Sequence, residues 1–207
     1  LLYCIIDKDL KTRTGVSIIN KVYPELIPEF KVVLAKKYED YFKKIDFKKD
    51  DWYGSRKLDG VRVITRIENG DVTFYSRAGN EFTTLNNVRK EIERVGIQNG
   101  VFDGELCIID ENGNEDFTSA VSQIKRKDET ISNPRYKIFD SLSLSEFDLG
   151  ESNRILSERM GNGRPTLKGS TILTYVKLIK IDDTEHLNKL ITEAQSNGWE
   201  GLSLIHI

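Results

Sequence analysis

The stretch that decides the fold is Lys57-Leu58-Asp59-Gly60-Val61-Arg62, in which a lysine stands beside an acid and a glycine and leads into a β-rich run. A lysine can act as a covalent catalyst when its amine is held rigidly, is partly removed from water so that it can lose its proton, and lies close to a phosphate. Alone, a Lys-x-Asp-Gly string is a weak signal, because most lysines lie on the surface. Three charged strings further along the chain strengthen the hypothesis of an enzyme with a nucleophilic lysine.

Those strings place acids and arginines beside glycines. They are Ser76-Arg77-Ala78-Gly79, Phe102-Asp103-Gly104-Glu105-Leu106 and Trp199-Glu200-Gly201-Leu202. The acid-glycine strings, interpreted as turns, would offer the carboxylates of Glu105 and Glu200 to a divalent metal ion. Arg62 and Arg77 would offer guanidinium forks to a phosphate or a ribose. Each residue alone is explained as a turn acid or a surface charge, so the prediction rests on the set.

Composition predicts a folded protein. The 207 residues are 38% hydrophobic and 31% charged and include only four prolines, which argues against global disorder. The net charge of −2 shows no basic surplus, although a neutral protein can carry a local basic groove. Cys4 and Cys107 each lie in an apolar run, as buried free thiols do in a reducing compartment. No apolar run approaches the roughly 20 residues of a membrane span, so we expect a cytoplasmic protein without a membrane partner. We also expect a monomer.

Two domains are predicted. In residues 1–30 a partly helical apolar spacing is broken between Pro24 and Pro28, which indicates the end of an N-terminal helical domain followed by a linker. Residues 31–201 form the second domain, in which the periodicity changes to that of strands after a short amphipathic helix.

Within the second domain, residues 61–67 and 72–76 are β-rich runs joined through Asn69-Gly70, the strongest short hairpin signal. Further strands are predicted at 101–110, 136–142 and 172–181, and helices at 85–95, 118–127 and 182–197, the last capped by Asp182. Strands and hairpins interleaved with helices, without regular βαβ repetition, predict an α+β domain of antiparallel sheets flanked by helices.

Both ends of the sequence are unusual. The chain begins at Leu1 rather than at methionine, and residues 202–207 match the translation of a common sequencing-library adapter. We therefore expect residues 202–207 to be an adapter-derived scar, in which His206 has no functional meaning.

Taken in order, five strings resemble the nucleotidyltransferase motifs of ATP-dependent DNA ligases, RNA ligases and mRNA capping enzymes. They are Lys-x-Asp-Gly-x-Arg from residue 57, Ser-Arg-x-Gly from 76, Asp-Gly-Glu from 103, Tyr-Lys-Ile-Phe-Asp from 136 and Glu-Gly from 200. The resemblance spans residues 52–201 and implies an ATP-grasp-like nucleotidyltransferase adenylation domain that is incomplete. In the family a lysine-bearing strand and an OB-fold domain follow, and neither is recognised in this sequence.

The resemblance implies four residues that act on ATP. Lys57 is similar to the lysine that attacks the α-phosphate and carries AMP as a phosphoramidate. Arg62 and Arg77 are similar to the arginines that grip ribose and phosphate. Phe139 is similar to the aromatic residue that stacks on adenine, although a core role is the commoner fate of an aromatic in an alternating strand.

The resemblance also implies two acids that organise Mg²⁺. Glu105 is similar to the acid that holds the ribose and helps to place the metal, and Glu200 to a later metal-organising acid. Glu200 also fits a solvated turn acid. Arg159 is only weakly similar to an arginine that follows the aromatic motif in DNA ligases.

Residues 9–35 resemble the entry to the adenylation domain of phage-type DNA ligases. The resemblance thus implies an ATP-dependent DNA ligase that seals nicks in duplex DNA through a lysine–AMP intermediate, in DNA replication, repair and recombination. Its partners would be nicked duplex DNA, ATP and Mg²⁺, and a phage-encoded enzyme would act in the host cytoplasm. An RNA ligase is the alternative, while a capping enzyme and a non-catalytic nucleic-acid-binding scaffold are less favoured.

Overall fold

The computed structural model describes residues 16–24, 38–126, 129–161 and 164–206. The chain divides into two units, residues 1–32 and 33–207. In the first unit the described residues form helix α1 (Val16–Val22). Most of residues 9–35, the segment that resembles the entry to the adenylation domain of phage-type DNA ligases, lies outside the described residues, and so does Cys4. No helix in the described ranges is long and apolar enough to span a membrane.

The second unit is an α+β domain, as the sequence predicts. Its strands are β1 (Trp52–Lys57), β2 (Val61–Glu68), β3 (Asp71–Ser76), β4 (Glu81–Phe82), β5 (Gly100–Ile108), β6 (Pro134–Leu142), β7 (Leu173–Tyr175), β8 (Ile179–Ile181) and β9 (Gly201–His206). Its helices are α2 (Tyr38–Tyr41), which a 3-10 turn (Phe42–Lys44) follows, α3 (Asn86–Val95), α4 (Phe117–Ile124), α5 (Leu144–Leu149), α6 (Leu156–Arg159) and α7 (Thr184–Ser196).

Six strands form a large sheet in the order β4-β3-β2-β5-β6-β7. Its neighbours are antiparallel except β6 and β7, which run parallel. This parallel pair departs from the predicted antiparallel arrangement, because the long connection through α5 and α6 lets the chain return in the same direction. Helices α3 and α4 bury Val88, Ile92, Ala120 and Ile124 against the apolar residues of the sheet.

Three strands form a small sheet in the order β8-β1-β9, with β1 antiparallel to both neighbours. Helix α7 contributes Leu187 and Leu190 to an apolar cluster with Ile181 of β8. Since β1 belongs to the small sheet and β2 to the large one, the connection over residues 58–60 crosses from one sheet to the other.

The local predictions had mixed outcomes. The hairpin between β2 and β3 is confirmed, with left-handed backbone at Asn69 (φ 53°) and Gly70 (φ 88°). The single strand at 172–181 is wrong, because β7 and β8 are separate strands of different sheets. The cap of the last helix is Asp183 rather than Asp182, since the Asp183 side chain accepts a hydrogen bond from the His186 N–H at 2.7 Å.

Two further predictions concern single segments. Cys107 is a buried free thiol, and burial raises its pKa to about 12, which keeps it protonated. Residues 201–206 pair with β1 in a register that runs from Lys57 opposite Gly201 to Trp52 opposite His206. The interpretation of residues 202–207 as a scar stays a prediction.

Candidate active site

Lys57 is the last residue of β1, at the point where the chain leaves the small sheet for the large one. The turn that follows can be closed only by glycine, since a Cβ at Gly60 would lie 2.5 Å from the carbonyl oxygen of Leu106. A strand end and a tight turn therefore flank Lys57.

The Lys57 amine is paired with a carboxylate. Its Nζ donates to Oε1 of Glu200, and the two side chains are 48% and 40% exposed. The pairing of β1 with β9 sets this contact, because Lys57 lies opposite Gly201, the residue after Glu200. We expected an amine partly removed from water, but the Lys57 side chain is about half-exposed and paired with an acid. The ion pair has to open before Lys57 can act as a nucleophile.

Glu105 lies on β5 directly opposite Arg62 of β2. Burial raises its pKa to about 7; the positive charges of Arg62 and Lys57 oppose that rise, and the negative charges of Asp103 and Glu200 add to it. The positive charges around the partly buried Glu105 are therefore too weak to offset the effect of burial on its pKa. The same interactions indicate that Lys57, Arg62, Glu105 and Glu200 occupy one electrostatic environment.

The Arg62 guanidinium is already held by a protein carboxylate. Its Nε and Nη2 donate to the two oxygens of Asp103 at 2.9 and 2.5 Å. The sequence analysis did not assign a role to Asp103, although this residue lies within one of the quoted strings. Because the pair is bidentate, it fixes the plane of the guanidinium as well as its position.

The sequence predicted a turn at Asp103 and Gly104, and this prediction is wrong. Both lie inside β5. Glycine is required there because a Cβ at Gly104 would lie 2.8 Å from Cε2 of Tyr136. The buried Tyr136 hydroxyl donates to the carbonyl oxygens of Val63 at 2.8 Å and Phe102 at 3.1 Å, so this ring lies across the middle of the sheet.

Phe139 is the extra residue of a β-bulge. Asp103 pairs with Asp140 and Gly104 pairs with Ile138, so Phe139 has no partner on β5. A bulge breaks the alternation of side chains and can redirect one of them. The ring of Phe139 contacts Arg62, whose Cζ lies 5.2 Å from the ring centroid. The structure thereby brings Phe139 to the same place as Arg62.

Arg159, a weak match in the sequence, has a defined partner. Its Nε and Nη2 donate to the two oxygens of Asp140 at 2.7 and 2.8 Å. Because Asp140 lies opposite Asp103, the Arg159–Asp140 and Arg62–Asp103 pairs stand beside each other on β6 and β5. Burial raises the pKa of Asp103, and although Arg62 opposes this rise, the charge of Asp140 adds to it.

Arg77 is exposed in the turn between β3 and β4, directly after Ser76, the residue that pairs with Val63. Within the described ranges, no hydrogen bond or ion pair connects Arg77 to Lys57, Glu105 or Glu200. Of the residues predicted from the sequence, Arg77 is thus the one that the structure leaves apart from the cluster.

Glu115 was missed by the sequence analysis. Its side chain is 4% exposed and lies 3.1 Å from Nη2 of Arg56 and 2.8 Å from Nζ of Lys137. It also accepts a hydrogen bond from the Asp59 backbone N–H at 3.0 Å, inside the turn that follows Lys57. No local sequence pattern predicts a role for this acid, because its partners Arg56, Asp59 and Lys137 are all distant from it in the sequence.

Comparison with known proteins identifies the family. The family model described as ATP dependent DNA ligase domain matches residues 32–204. Among curated proteins, the DNA ligase of Enterobacteria phage T4 is 34% identical over 108 residues, which cover 50% of this chain and 22% of the phage protein. The multifunctional non-homologous end joining protein LigD of Pseudomonas aeruginosa is 40% identical over 68 residues, 32% of this chain and 8% of that protein.

Solved structures share the fold. A structure named Pmar-Lig_Pre superposes with a TM-score of 0.73 at 24% identity and covers 98% of this chain, which in turn covers 49% of it. The ATP-dependent DNA ligase from bacteriophage T7 in complex with ATP has a TM-score of 0.61 at 18% identity, over 82% of this chain and 61% of that one. The chain belongs to the family of ATP-dependent DNA ligase domains, and it covers less than two thirds of the length of each of these relatives.

Proposed function

We propose that this chain carries the adenylation chemistry of an ATP-dependent DNA ligase, which seals nicks in duplex DNA through an AMP adduct on Lys57. The observation that carries the proposal is the cluster at the end of β1. There the Lys57 amine meets Glu200, while Glu105 and Arg62 lie opposite each other on the adjoining strands. Membership of the family supports ATP and DNA as the substrates of the whole protein.

The proposed reaction has three transfers. In the first, the neutral Lys57 amine attacks the α-phosphorus of ATP, a P–N bond forms as the nitrogen gives up a proton to solvent, the P–O bond to pyrophosphate breaks, and pyrophosphate leaves. In the second, an oxygen of the 5′-phosphate at the nick attacks the AMP phosphorus, and the P–N bond breaks as Lys57 takes back a proton. In the third, the 3′-hydroxyl attacks the 5′-phosphate, a phosphodiester forms, and AMP leaves.

The surrounding residues support a nucleotide at this place. Arg62 is fixed by Asp103 and lies against one face of the Phe139 ring, so we propose that adenine stacks on the other face. Arg77, on the turn after β3, is proposed to reach ribose or phosphate once ATP is bound. Glu105 is proposed to hold the ribose.

The donor set fits a magnesium ion. Proteins commonly bind Mg²⁺ through one or two carboxylates together with substrate phosphates, and Glu105 and Glu200 would supply the carboxylates. Burial raises the pKa of Glu105 to about 7 against the opposing charges of Arg62 and Lys57, so a further cation would stabilise its ionised form. When bound, Mg²⁺ would offset negative charge on the triphosphate and on the departing pyrophosphate.

The test is a sealing assay with the protein extended to the full length of its relatives. Parallel all-DNA and all-RNA nicked duplexes would be offered with ATP, with NAD and without nucleotide, and a Lys57→Ala variant would serve as the blank. We expect sealing of DNA with ATP alone, with affinity falling steeply as salt rises because the protein binds phosphates. Sealing of RNA but not DNA would identify an RNA ligase, and the absence of an AMP adduct with either nucleotide would identify a scaffold.

A further inference from the structure

We propose that Glu115 is a positioning residue for Lys57: its buried carboxylate contacts the Arg56 side chain before the nucleophile and the Asp59 backbone N–H after it, and so sets the place from which the amine attacks. This inference rests on the proposed function, because it concerns the adenylation step. Glu115 lies outside the strings that define the site in the sequence, in the connection between β5 and α4.

One oxygen of this carboxylate reaches both sides of Lys57. Oε2 of Glu115 accepts from the Asp59 backbone N–H at 3.0 Å and lies 3.1 Å from Nη2 of Arg56. Arg56 directly precedes Lys57, and Asp59 is the second residue after it. The two contacts therefore bracket Lys57, so a displacement of the carboxylate would move the segment that carries the amine.

The other oxygen connects the same segment to the large sheet. Oε1 of Glu115 accepts from Nζ of Lys137 at 2.8 Å, and Lys137 lies opposite Glu105 in the pairing of β6 with β5. Glu115 thus connects the Lys57 turn to β6, the strand that pairs with the Glu105 strand β5. One side chain therefore links the segment of the nucleophile to the sheet that carries Glu105.

The segment that holds Glu115 is itself constrained. The side chain of Asp110 accepts from the Asn114 backbone N–H at 2.7 Å and closes a turn. Glu115 forms a β-bridge with Ile109, and the next residue, Asp116, caps helix α4. A turn on one side and a helix cap on the other leave the Glu115 backbone little freedom, as a supporting residue for a reactive group requires.

The charge of Glu115 is compensated despite its burial. Burial alone would raise its pKa, but the hydrogen bonds from Lys137 and the Asp59 N–H, with the charge of Arg56, hold the pKa below its ordinary value. The carboxylate is therefore ionised at neutral pH. Its removal would leave Arg56 and Lys137 without their shared anion, and two partly buried like charges would repel each other.

Loss of this support should affect attack more than ATP binding. A nucleophile misplaced by about 1 Å can lose on the order of 10²-fold in rate. We therefore expect the rate of attack at saturating ATP to fall while the KM for ATP changes little.

The experiment compares Glu115→Gln and Glu115→Ala in the full-length protein. Glu115→Gln keeps the size of the side chain and an acceptor for the Asp59 N–H, which protects the fold. Three quantities are measured: the single-turnover rate of AMP-adduct formation at saturating ATP, the KM for ATP, and the rate at which a pre-adenylated DNA nick is sealed. The last reaction does not need Lys57 to attack. The matched control is Glu91→Gln, which removes a carboxylate paired with Arg94 on α3, away from Lys57.

We expect Glu115→Ala to lower the rate of adduct formation about 10²-fold, Glu115→Gln to lower it less, and both to seal the pre-adenylated nick as the wild type does. Equal losses in adduct formation and in pre-adenylated sealing would make Glu115 merely structural and overturn the inference. So would an unchanged rate of adduct formation in both variants. A wild-type protein that forms no adduct would instead refute the proposed function, and the inference would fall with it.

Discussion

Lys57 and Glu200 form an ion pair although they lie 143 residues apart in the sequence. The contact depends on the pairing of β1 with β9, which sets the acid beside the end of the lysine strand. The amine is therefore paired with an acid, and the ion pair has to open before Lys57 can attack.

Replacing Lys57 by arginine should abolish the AMP adduct while preserving the fold. Arginine keeps the positive charge that Glu200 pairs with, but a guanidinium does not lose its proton in proteins and cannot attack phosphorus. The measurement is labelling with ATP that carries a radioactive α-phosphate. Lys180→Arg, in the same sheet and ion-paired with Asp51, should label normally; an acid-labile adduct on Lys57→Arg or Lys57→Ala would show that another residue is the nucleophile.

Replacing Glu200 by glutamine should make Lys57 more reactive toward an amine-acylating reagent in the absence of ATP. The amide removes the charged partner of the ion pair, so the amine is held less firmly against residue 200 and is more accessible to the reagent. Peptide mapping of the modified lysine gives the rate. Glu185→Gln, which disrupts an exposed pair with Lys189, is the control. If acylation of Lys57 is equally fast in wild type and Glu200→Gln, the ion pair does not restrain the amine.

Replacing Glu105 by glutamine should stabilise the protein while severely weakening adenylation. Burial raises the pKa of Glu105 from its ordinary 4.5 to about 7. Below pH ~4.5 both the folded and the unfolded chain hold the proton, and the residue has no effect on stability. Between pH ~4.5 and about 7 only the unfolded chain ionises at Glu105, so the free energy of unfolding falls as pH rises. Above about pH 7 both states are ionised, and the free energy of unfolding falls no further on account of this residue.

Urea unfolding at pH 5 and pH 8 measures whether the ionised Glu105 carboxylate destabilises the folded protein. At pH 8 the Glu105→Gln variant should exceed the wild type by about 1–3 kcal/mol in free energy of unfolding, with a smaller gain at pH 5. Glu146→Gln should instead lower the free energy of unfolding at both pH values, because the hydrogen bond from Arg154 stabilises the ionised Glu146 and lowers its pKa in the folded chain. Parallel loss of stability and adenylation in Glu105→Gln would mean that Glu105 supports the fold rather than the ligand.

Replacing Phe139 by alanine should raise the KM for ATP about 10-fold, since stacking of a base on an aromatic ring is worth roughly 1–3 kcal/mol. Phe139→Tyr keeps the ring and should stay within about 2-fold of the wild type in KM. Adduct formation at varied ATP concentration provides both values. An unchanged KM in Phe139→Ala together with a lower Tm would favour the alternative core role of this ring.

The sequence predicted the features that depend on neighbouring residues. Asn69 and Gly70 specify the β2–β3 hairpin because they adopt left-handed backbone without a tertiary partner. The lysine string and its glycine likewise specify a turn at a strand end. These signals are local, and the structure reproduces them.

What the sequence could not predict depends on long-range pairing. Asp103 is the partner of Arg62 only because β2 and β5 pair in one particular register. The bulge at Phe139 shifts which residues of β6 share a face, and no residue type in that strand announces it. Glu115 matters because two distant segments, residues 56–59 and the strand that carries Lys137, converge on it, while the residues around it form an ordinary turn and helix cap.

The central position of β1 in the small sheet has a consequence for biosynthesis. Both of its neighbours, β8 and β9, are translated long after it, whereas the hairpin β2–β3 and its partner β5 follow soon after Lys57. A nascent chain can therefore assemble most of the large sheet while the lysine strand still presents two unpaired edges, the condition in which strands pair wrongly or aggregate. A chain that ends before residue 179 would contain every strand of the large sheet but neither partner of the strand that carries Lys57.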